Sequence, residues 1–561
     1  MRLADWLVLC GALTFVVVYG LWRGRGSNSV DKYVLAGKTM PWYAMALSIM
    51  ATQASAVTFI STTGQSYVDG MRFVQFYFGL PLAMVVLCAT AVPVFRRANV
   101  YTAYEYLERR FDARTRSLVS VIFLIQRGLA LGITLYAPAV VLTVILGWPE
   151  QVTTLVMGAV AVMYTTLGGA KTVAWSDFQQ MLVMTAGLAA ALIAAVWLLP
   201  AGVTFPDAVT LAGAAGRLNA VTLNLDWKDR YNLWSGLIGG MFLALAYFGC
   251  DQSQVQRYLT GKSIAQSRVS LLFNGMAKVP MQFFILFIGA MVFVFHIYEK
   301  PPLLFQRAEL ARIQAPSWGS EYAPVAQRYD AAFENRKAAA DRLLQAQRGG
   351  DLALRQEALG EFRSAQSEMD AARREGVRLV EAAGGQKDLV DTNYIFLSFV
   401  IRYLPAGLVG LVLAVIFGAT MASISAEINA LATVTMVDLY RRHMRAGASD
   451  RHYLRITRAA TVFWGCYAVV TAQFVGRLGS LVEAVNVLGS FFYGGMLGVF
   501  VLAFYFKRVG ARGAFYGVLA GEAVIFSAYF FTNIAFLWYN VIGCIVVVVT
   551  GLLLSGPPRR G

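Results

Sequence analysis

Charge is scarce in this chain, and the little there is lies in a few places. Of 561 residues only 14% are Asp, Glu, Lys or Arg, whereas 58% are hydrophobic, and the mean hydropathy is +0.57. Soluble proteins carry about a quarter charged residues and less than half apolar ones, so composition excludes an ordinary water-soluble domain. Histidine is scarcer still: three residues, His296, His443 and His452, too scattered to form one site. The five cysteines (Cys10, Cys88, Cys250, Cys466 and Cys544) stand singly in or beside apolar runs. They lack metal-type spacing and read as small buried hydrophobes. No phosphate-cradling loop, catalytic triad or metal constellation is present in the sequence. The expectation is therefore neither an enzyme nor an organic-cofactor protein. A net charge of +16 would suit nucleic acid if it formed one basic face. Instead the basic residues flank apolar runs, which points to a lipid bilayer and not to nucleic acid.

Those apolar runs are what the chain has in abundance. Segments long enough to cross a bilayer, about 17–25 residues each, recur throughout. They lie near 5–22, 43–62, 73–95, 117–146, 151–168, 177–199, 232–250, 271–297, 394–437, 456–475, 480–506, 513–531 and 534–555. The expected fold is an all-α polytopic membrane protein with about 13 transmembrane helices. The first run, Asp5–Trp22, has no basic leader before it and reads as a retained helix. The run 394–437 is too long for one straight span, and Pro405-Ala-Gly407 is expected to split it into a short surface helix and the span proper.

Loop charges orient the spans. With the N-terminus outside, the inner loops collect Arg23, Arg25, Lys32 and Lys38, then Arg96, Arg97, Arg109, Arg110, Arg114 and Arg116. Further along they collect Arg257, Lys262 and Arg268, then Arg441, Arg442, Arg445, Arg451 and Arg455, then Lys507, Arg508 and Arg512, and the tail Arg559-Arg560. The outer loops hold few, such as Arg72, Lys228, Arg230 and Arg477. One missed span would scramble this asymmetry. The expectation is a multi-pass plasma-membrane protein, in a bacterial inner membrane, with the N-terminus outside and the C-terminus cytoplasmic.

Three sections follow: spans one to eight in 1–298, a charged extracellular or periplasmic insertion in 299–391, and spans nine to thirteen in 392–561. Within the insertion, Tyr322, Val325, Tyr329, Ala332, Ala339 and Leu343 keep a 3/4 spacing, as do Ala358, Phe362, Ala365, Met369 and Ala372. Gly349-Gly350-Asp351 separates them. An antiparallel helical hairpin about 45 Å long is expected, at 1.5 Å per residue. It reads either as a docking arm for a protein partner or lid, or as a solvated spacer.

Polar residues deep within apolar spans mark candidate sites, because lipid-facing helices avoid their cost. Met50–Phe59, MATQASAVTF, places Gln53, Ser55 and Thr58 halfway along its run. A broken helix there would offer carbonyl oxygens to a cation. In Phe417–Leu439, Ala419, Thr420, Ala422, Ser423 and Ser425 crowd small and hydroxyl residues together. These suit close packing of helices, or ligation of a small hard cation such as Na⁺, which wants several oxygens. Arg127 also sits at mid-depth, where an unpaired guanidinium is expensive. Its partner is a bound anion, a helix carbonyl or Glu427.

Four stretches carry a family resemblance: SIMATQASAVTFISTTGQSYVDG (48–70), YTTLGGAKTVAWSDFQQ (164–180), YFGCDQSQVQRYLTGKS (247–263) and ATMASISAEINALATVTMVDLY (419–440). In order and in length they resemble the sodium:solute symporters, over nearly the whole chain outside 299–391. The resemblance implies a five-plus-five inverted-repeat core of the LeuT type, repeat one in 43–200 and repeat two starting in 232–298, working by alternating access. It implies a sodium site from the carbonyls of Ala51, Ala54 and Ala419 with the adjacent positions Ala422 and Ser423. The family usually has a hydroxyl at both of the last two; Ala422 has none. Asp177 matches an aspartate that some members use for a second cation or a proton.

Positions expected to face the solute are Gln53, Thr58, Gln75, Phe76, Arg127, Tyr247, Lys278 and Asn486. Galactose carriers of the family place Glu-Gln where this chain has Val57-Thr58, and further polar residues where it has Tyr77 and Ala244. A sugar needs those hydrogen bonds, so a sugar is disfavoured. Arg127 and Lys278 suggest an organic anion such as a carboxylate. The expected function is sodium-coupled symport of a small organic solute. The alternatives are proton coupling in the same fold, or a membrane sensor acting through a separate partner. The sensor is less expected because only Ser555–Gly561 follows the last span.

Overall fold

The structure, a computed structural model, describes residues 1–25, 29–475 and 480–555. Arg477, Arg559 and Arg560 lie outside the described residues. The described chain is helical, and the one bridge-type pairing within it joins Met40 to Gly261. Eight of its helices are long and apolar enough to cross a membrane, and three shorter apolar helices accompany them, Glu150–Met163, Ser235–Gly249 and Leu537–Leu553.

The chain opens with α1 (Leu3–Gly24). After Pro41 come α2 (Trp42–Gln53) and α3 (Ala56–Asp69), two halves of one interrupted helix. Next are α4 (Leu80–Ala89) and α5 (Ala91–Ala98), which meet at Thr90, then α6 (Ala113–Leu146). A long helix, α7 (Glu150–Trp197), contains Gly169 at φ +63° and ψ −178°, which divides it in two. A Cβ on Gly169 would stand 2.8 Å from the ring of Tyr33, so this turn has room only for glycine. The two apolar runs expected at 151–168 and 177–199 are the two halves of this bent helix.

The second interrupted helix is α8 (Gly240–Gly249) and α9 (Gln252–Leu259). The run at 232–250 was expected to end there; in the fold it continues beyond a two-residue gap. Arg257 is therefore not a loop cation. It is 1% exposed, inside α9. Arg116 is likewise buried, against Asp438 at 2.7 Å and Glu108 at 2.7 Å. The long α10 (Ile264–Tyr298) follows.

The charged insertion folds as α11 (Gly319–Gly349) and α12 (Leu352–Ala382), 31 residues each and about 46 Å long, joined at Gly350. The apolar stripe read from the sequence is buried in it, Tyr322 only partly. Its inner half, including Leu343 and Phe362, shares one core with the bundle. Tyr329, Phe333 and Met369 form a second cluster with Leu303 and Leu304. Burying one such aromatic side chain stabilises by about 1.5–3 kcal/mol. Polar clasps add to this. Arg348 meets Asp207 at 2.6 Å, Arg363 donates to the Ala214 carbonyl at 3.2 Å, and Arg336 donates to the His296 carbonyl at the end of α10.

The chain returns through α13 (Thr392–Tyr403), which Pro405-Ala-Gly407 separates from α14 (Leu408–Val434), as expected. The bundle is completed by α15 (Asp450–Ala472), α16 (Leu481–Tyr505), α17 (Ala511–Phe531) and α18 (Leu537–Leu553).

Candidate functional site

The gap between α2 and α3 is short and specific. Ala54 leaves the helix at φ −97°, ψ 74°, and Ser55 is extended at φ −80°, ψ 174°. Four carbonyls near the end of α2 lose their ordinary helical donors. Two are satisfied from side chains: the Ser423 hydroxyl donates to the Thr52 carbonyl at 3.1 Å, and the Thr58 hydroxyl to the Gln53 carbonyl at 3.5 Å. Among the described residues, no donor reaches the carbonyls of Ala51 and Ala54. Those are two of the sodium-site positions inferred from the sequence.

Ser423 brings α14 to the same point. Ala51, Ala54, Ala419, Ala422 and Ser423 are all buried, with Ala51, Ala54 and Ala419 at 0% exposure. Two neighbouring hydroxyls do not take part. Thr420 donates back to Ile416 at 2.9 Å, and Ser425 to Met421 at 2.6 Å and Ala422 at 3.2 Å. Ser425, expected near the site, is thus committed to its own helix. The residues present fit a small cation: two free carbonyls, the Ser423 oxygen with its remaining lone pairs, and no competing cationic side chain hydrogen-bonded to them. At Ala422 only a backbone oxygen is on offer.

One turn earlier on α2, the Ser48 hydroxyl donates to Asp177 Oδ2 at 2.6 Å. Asp177 is fully buried on α7, its other oxygen has no hydrogen-bond partner, and Arg257 interacts with it electrostatically.

On the other side of the break lies a cavity of about 90 Å³. Of the expected solute residues, Gln53, Thr58, Phe76, Arg127, Tyr247 and Asn486 line it. Ser55, Val57 and Thr58 bring the first turn of α3 to its wall. Gln53 Oε1 is buried there without a partner. Asn486 donates to the Val482 carbonyl at 2.8 Å, and the Tyr247 hydroxyl accepts from Gln254 at 2.8 Å.

Two expected residues are elsewhere. Gln75 is spent on the loop that precedes α8: its amide nitrogen donates to the Tyr231 carbonyl at 2.8 Å and its oxygen accepts from the Thr222 N–H at 2.9 Å. Lys278 does not line the cavity. Its ammonium sits 5.5 Å over the ring of Tyr77, fully buried.

Arg127 is the largest departure from the sequence reading. It donates to Glu427 at 3.1 Å, to the Tyr493 hydroxyl at 2.6 Å and to the carboxylate of Asp251, and it lies 5.4 Å from the ring centre of Tyr247. Glu427 is among the partners expected from the sequence, and Asp251 is a second carboxylate beside it. Asp251 opens α9, accepting from the Ser253 N–H at 2.9 Å and hydroxyl at 2.7 Å. Arg127 is thus held by two carboxylates and ties α6 to α9, α14 and α16. The signal available in the sequence is an aspartate in Gly249-Cys250-Asp251, at the end of an apolar run.

The family model for the sodium:solute symporter family matches residues 33–304 and 377–521. The chain belongs to the sodium:solute symporter family. The unmatched interval, 305–376, falls inside the insertion. Among relatives, human sodium-coupled monocarboxylate transporter 1 is 27% identical over 93% of this chain and 72% of its own. The rabbit (Oryctolagus cuniculus) sodium-dependent multivitamin transporter is 26% identical over 99% and 73%. The sodium/sialic acid symporter of Aliivibrio fischeri is 24% identical over 98% and 92%. The fold matches that of a substrate-bound, outward-open Na⁺-coupled sialic acid symporter, with TM-score 0.76 at 21% identity over both whole chains. The protein is therefore a multi-pass membrane transporter of the inverted-repeat type, a sodium-coupled symporter and not an enzyme.

Proposed function

We propose that this symporter carries a short-chain monocarboxylate together with sodium. The observation that carries this reading is the first turn of α3 in the cavity wall. The N-terminus of a half-helix presents unpaired N–H groups and the positive end of the helix dipole, which favour a carboxylate. Arg127, matched by two carboxylates, is the electrostatic clasp of the site and not its anion receptor. Thr58 and Gln53 supply the remaining polar contacts. Phe76, Tyr77 and Val485 enclose an apolar tail.

Size supports the same choice. The cavity measures about 90 Å³. Drug-sized pockets run to about 300–1,000 Å³. In this conformation the site suits a solute of a few heavy atoms better than a sugar acid. The monocarboxylate relative fits this better than the sialic acid one.

Sodium is held by the carbonyls of Ala51, Ala54 and Ala419, with Ala422 supplying at most its carbonyl and Ser423 its hydroxyl. Asp177 forms a second cation or proton site, supported by its buried, half-satisfied carboxylate. Sodium binding stabilises one conformation and the solute shifts the population toward closure. Thirteen spans, an outer N-terminus, a cytoplasmic C-terminus, residence in a bacterial inner membrane and an outer hairpin belong to the same reading; the apolar runs support the span count and the loop charges support the orientation. The hairpin's apolar stripe is used within the protein, which favours a structural role over a docking arm for a partner.

The test is uptake of radiolabelled propionate or pyruvate into proteoliposomes under an inward sodium gradient. Uptake should collapse when potassium replaces sodium, and acetate to butyrate should compete while galactose does not. Sodium-independent uptake, or competition by galactose alone, refutes the reading.

A further inference from the structure

A second cavity, about 670 Å³, opens between the hairpin and the bundle. Five arginines and three carboxylates line it, and its walls include the rings of Tyr67, Phe293 and Tyr329. Among the described residues Arg373 alone of the five forms an ion pair, with Asp391; Arg374 and Arg378 are exposed to water, which leaves Arg217 and Arg336 as the unpaired arginines withdrawn from it. Arg336, 1% exposed, donates to Gln366 Oε1 at 3.1 Å and to the His296 carbonyl, and its Nε has no partner. Arg217, half-buried, donates to the Val68 carbonyl and lies 4.6 Å from the ring centre of Phe293, and its Nε is also without a partner. Among the described residues neither comes within 4.0 Å of a carboxylate. Each shares its aromatic neighbour with the other, since Arg336 lies 5.9 Å from the same ring.

A guanidinium held out of water without a counter-charge is costly. Burial, and for Arg336 also the positive charge of Arg217, pushes both guanidinium groups below their ordinary range. Asp370, the nearest compensating charge, is held by Gln366 at 2.9 Å. Guanidinium N–H groups beside aromatic faces are the donor set for a planar carboxylate on an apolar or aromatic body.

We infer that the cleft between the hairpin and the bundle is a second binding site, for an organic monocarboxylate with an aromatic or apolar body, held by Arg217 and Arg336. It lies where the hairpin meets the ends of α3 and α10, at the far end of α3 from the break, and does not depend on the identity of the transported solute. Its occupant is drawn from the medium and does not need sodium.

The probe is benzoate, with benzamide as its uncharged counterpart, titrated calorimetrically into the full-length protein in sodium-free buffer. Benzoate should bind and benzamide should not. Arg217→Gln should weaken benzoate at least tenfold, and Asp370→Asn should tighten it severalfold. Arg336→Lys keeps the charge at a site where an uncharged residue would endanger folding, and should retain weakened binding. Equal binding of benzoate and benzamide, or an Arg217→Gln protein that binds as wild type, overturns the inference. Sodium-driven propionate uptake by Arg217→Gln reads the membrane site separately, so failure of one reading leaves the other tested.

Discussion

Ser423→Ala separates a cation ligand from a packing residue. The hydroxyl has two jobs in the proposed site. As a donor to the Thr52 carbonyl at 3.1 Å it closes one of the carbonyls freed by the helix break. A buried neutral hydrogen bond of this kind contributes about 0.5–1.5 kcal/mol net. That term is present with or without sodium, so its loss lowers stability and leaves sodium affinity alone. As a ligand, the oxygen faces a full positive charge, an interaction of about 1.5–3 kcal/mol. That term exists only in the bound state. At 1.4 kcal/mol per tenfold, its loss raises the sodium concentration for half-maximal uptake roughly 10- to 150-fold. The assay is propionate uptake in proteoliposomes against external sodium, with choline holding ionic strength constant. Ala422→Ser is the reciprocal test. It restores the hydroxyl that the family usually has, at a position 1% exposed where the added atom costs some packing. Half-saturation should fall by severalfold. A Ser423→Ala protein that melts earlier yet keeps its sodium half-saturation within twofold would show that the hydroxyl only ties α14 to α2.

Three further outcomes are expected. Asp177→Asn should abolish the coupling that passes through that carboxylate; if uptake in the variant keeps its full sodium dependence and loses its response to a pH gradient, proton coupling replaces the sodium reading at this position. Arg127→Gln leaves Asp251 and Glu427 uncompensated and should destabilise by about 3–5 kcal/mol, seen as a lowered melting temperature in detergent. A stable variant altered only in solute KM would return Arg127 to the role of anion receptor. Val485→Ala enlarges the apolar end of the cavity by about two methyl groups and should improve butyrate relative to propionate about fourfold, from about 0.8 kcal/mol per buried CH₂. An unchanged ratio would mean the tail does not point at Val485.

How much of this was legible depended on whether the signal was local. The break at Ala54–Ser55 announced itself because Gln53, Ser55 and Thr58 are adjacent polar residues at mid-depth of an apolar run. Pro405 and Gly407 announced the start of α14, and the 3/4 spacing with Gly349-Gly350 gave the hairpin. The second break did not announce itself. Hydropathy falls at Asp251 and stays low through Gln252, Ser253, Gln254 and Gln256, which looks like an exit into water. In the fold these residues are buried, because α9 packs against α2, α10 and α14 and not against lipid. Gln75 was misplaced for the same reason. Its partners, Thr222 and Tyr231, stand 147 and 156 residues away, and no pattern around residue 75 encodes them.

The two breaks have opposite electrostatics, and that difference assigns their roles. At the second, Asp251 uses one oxygen on the Ser253 N–H and hydroxyl and the other on Arg127 and the Tyr493 hydroxyl. Both oxygens are engaged from within the chain, so a cation could enter only by displacing a buried guanidinium. At the first, the freed groups are neutral carbonyls, two of them closed by Ser423 and Thr58 and two left open. A small ion can be exchanged there with no buried charge left behind when it leaves. Reversible binding during a transport cycle requires that property. In the proposed cycle the charged break fixes the bundle around the site, and the neutral break holds and releases the ion. By this reasoning Arg127→Gln should cost stability while the sodium half-saturation of uptake, set at the first break, stays within twofold of wild type.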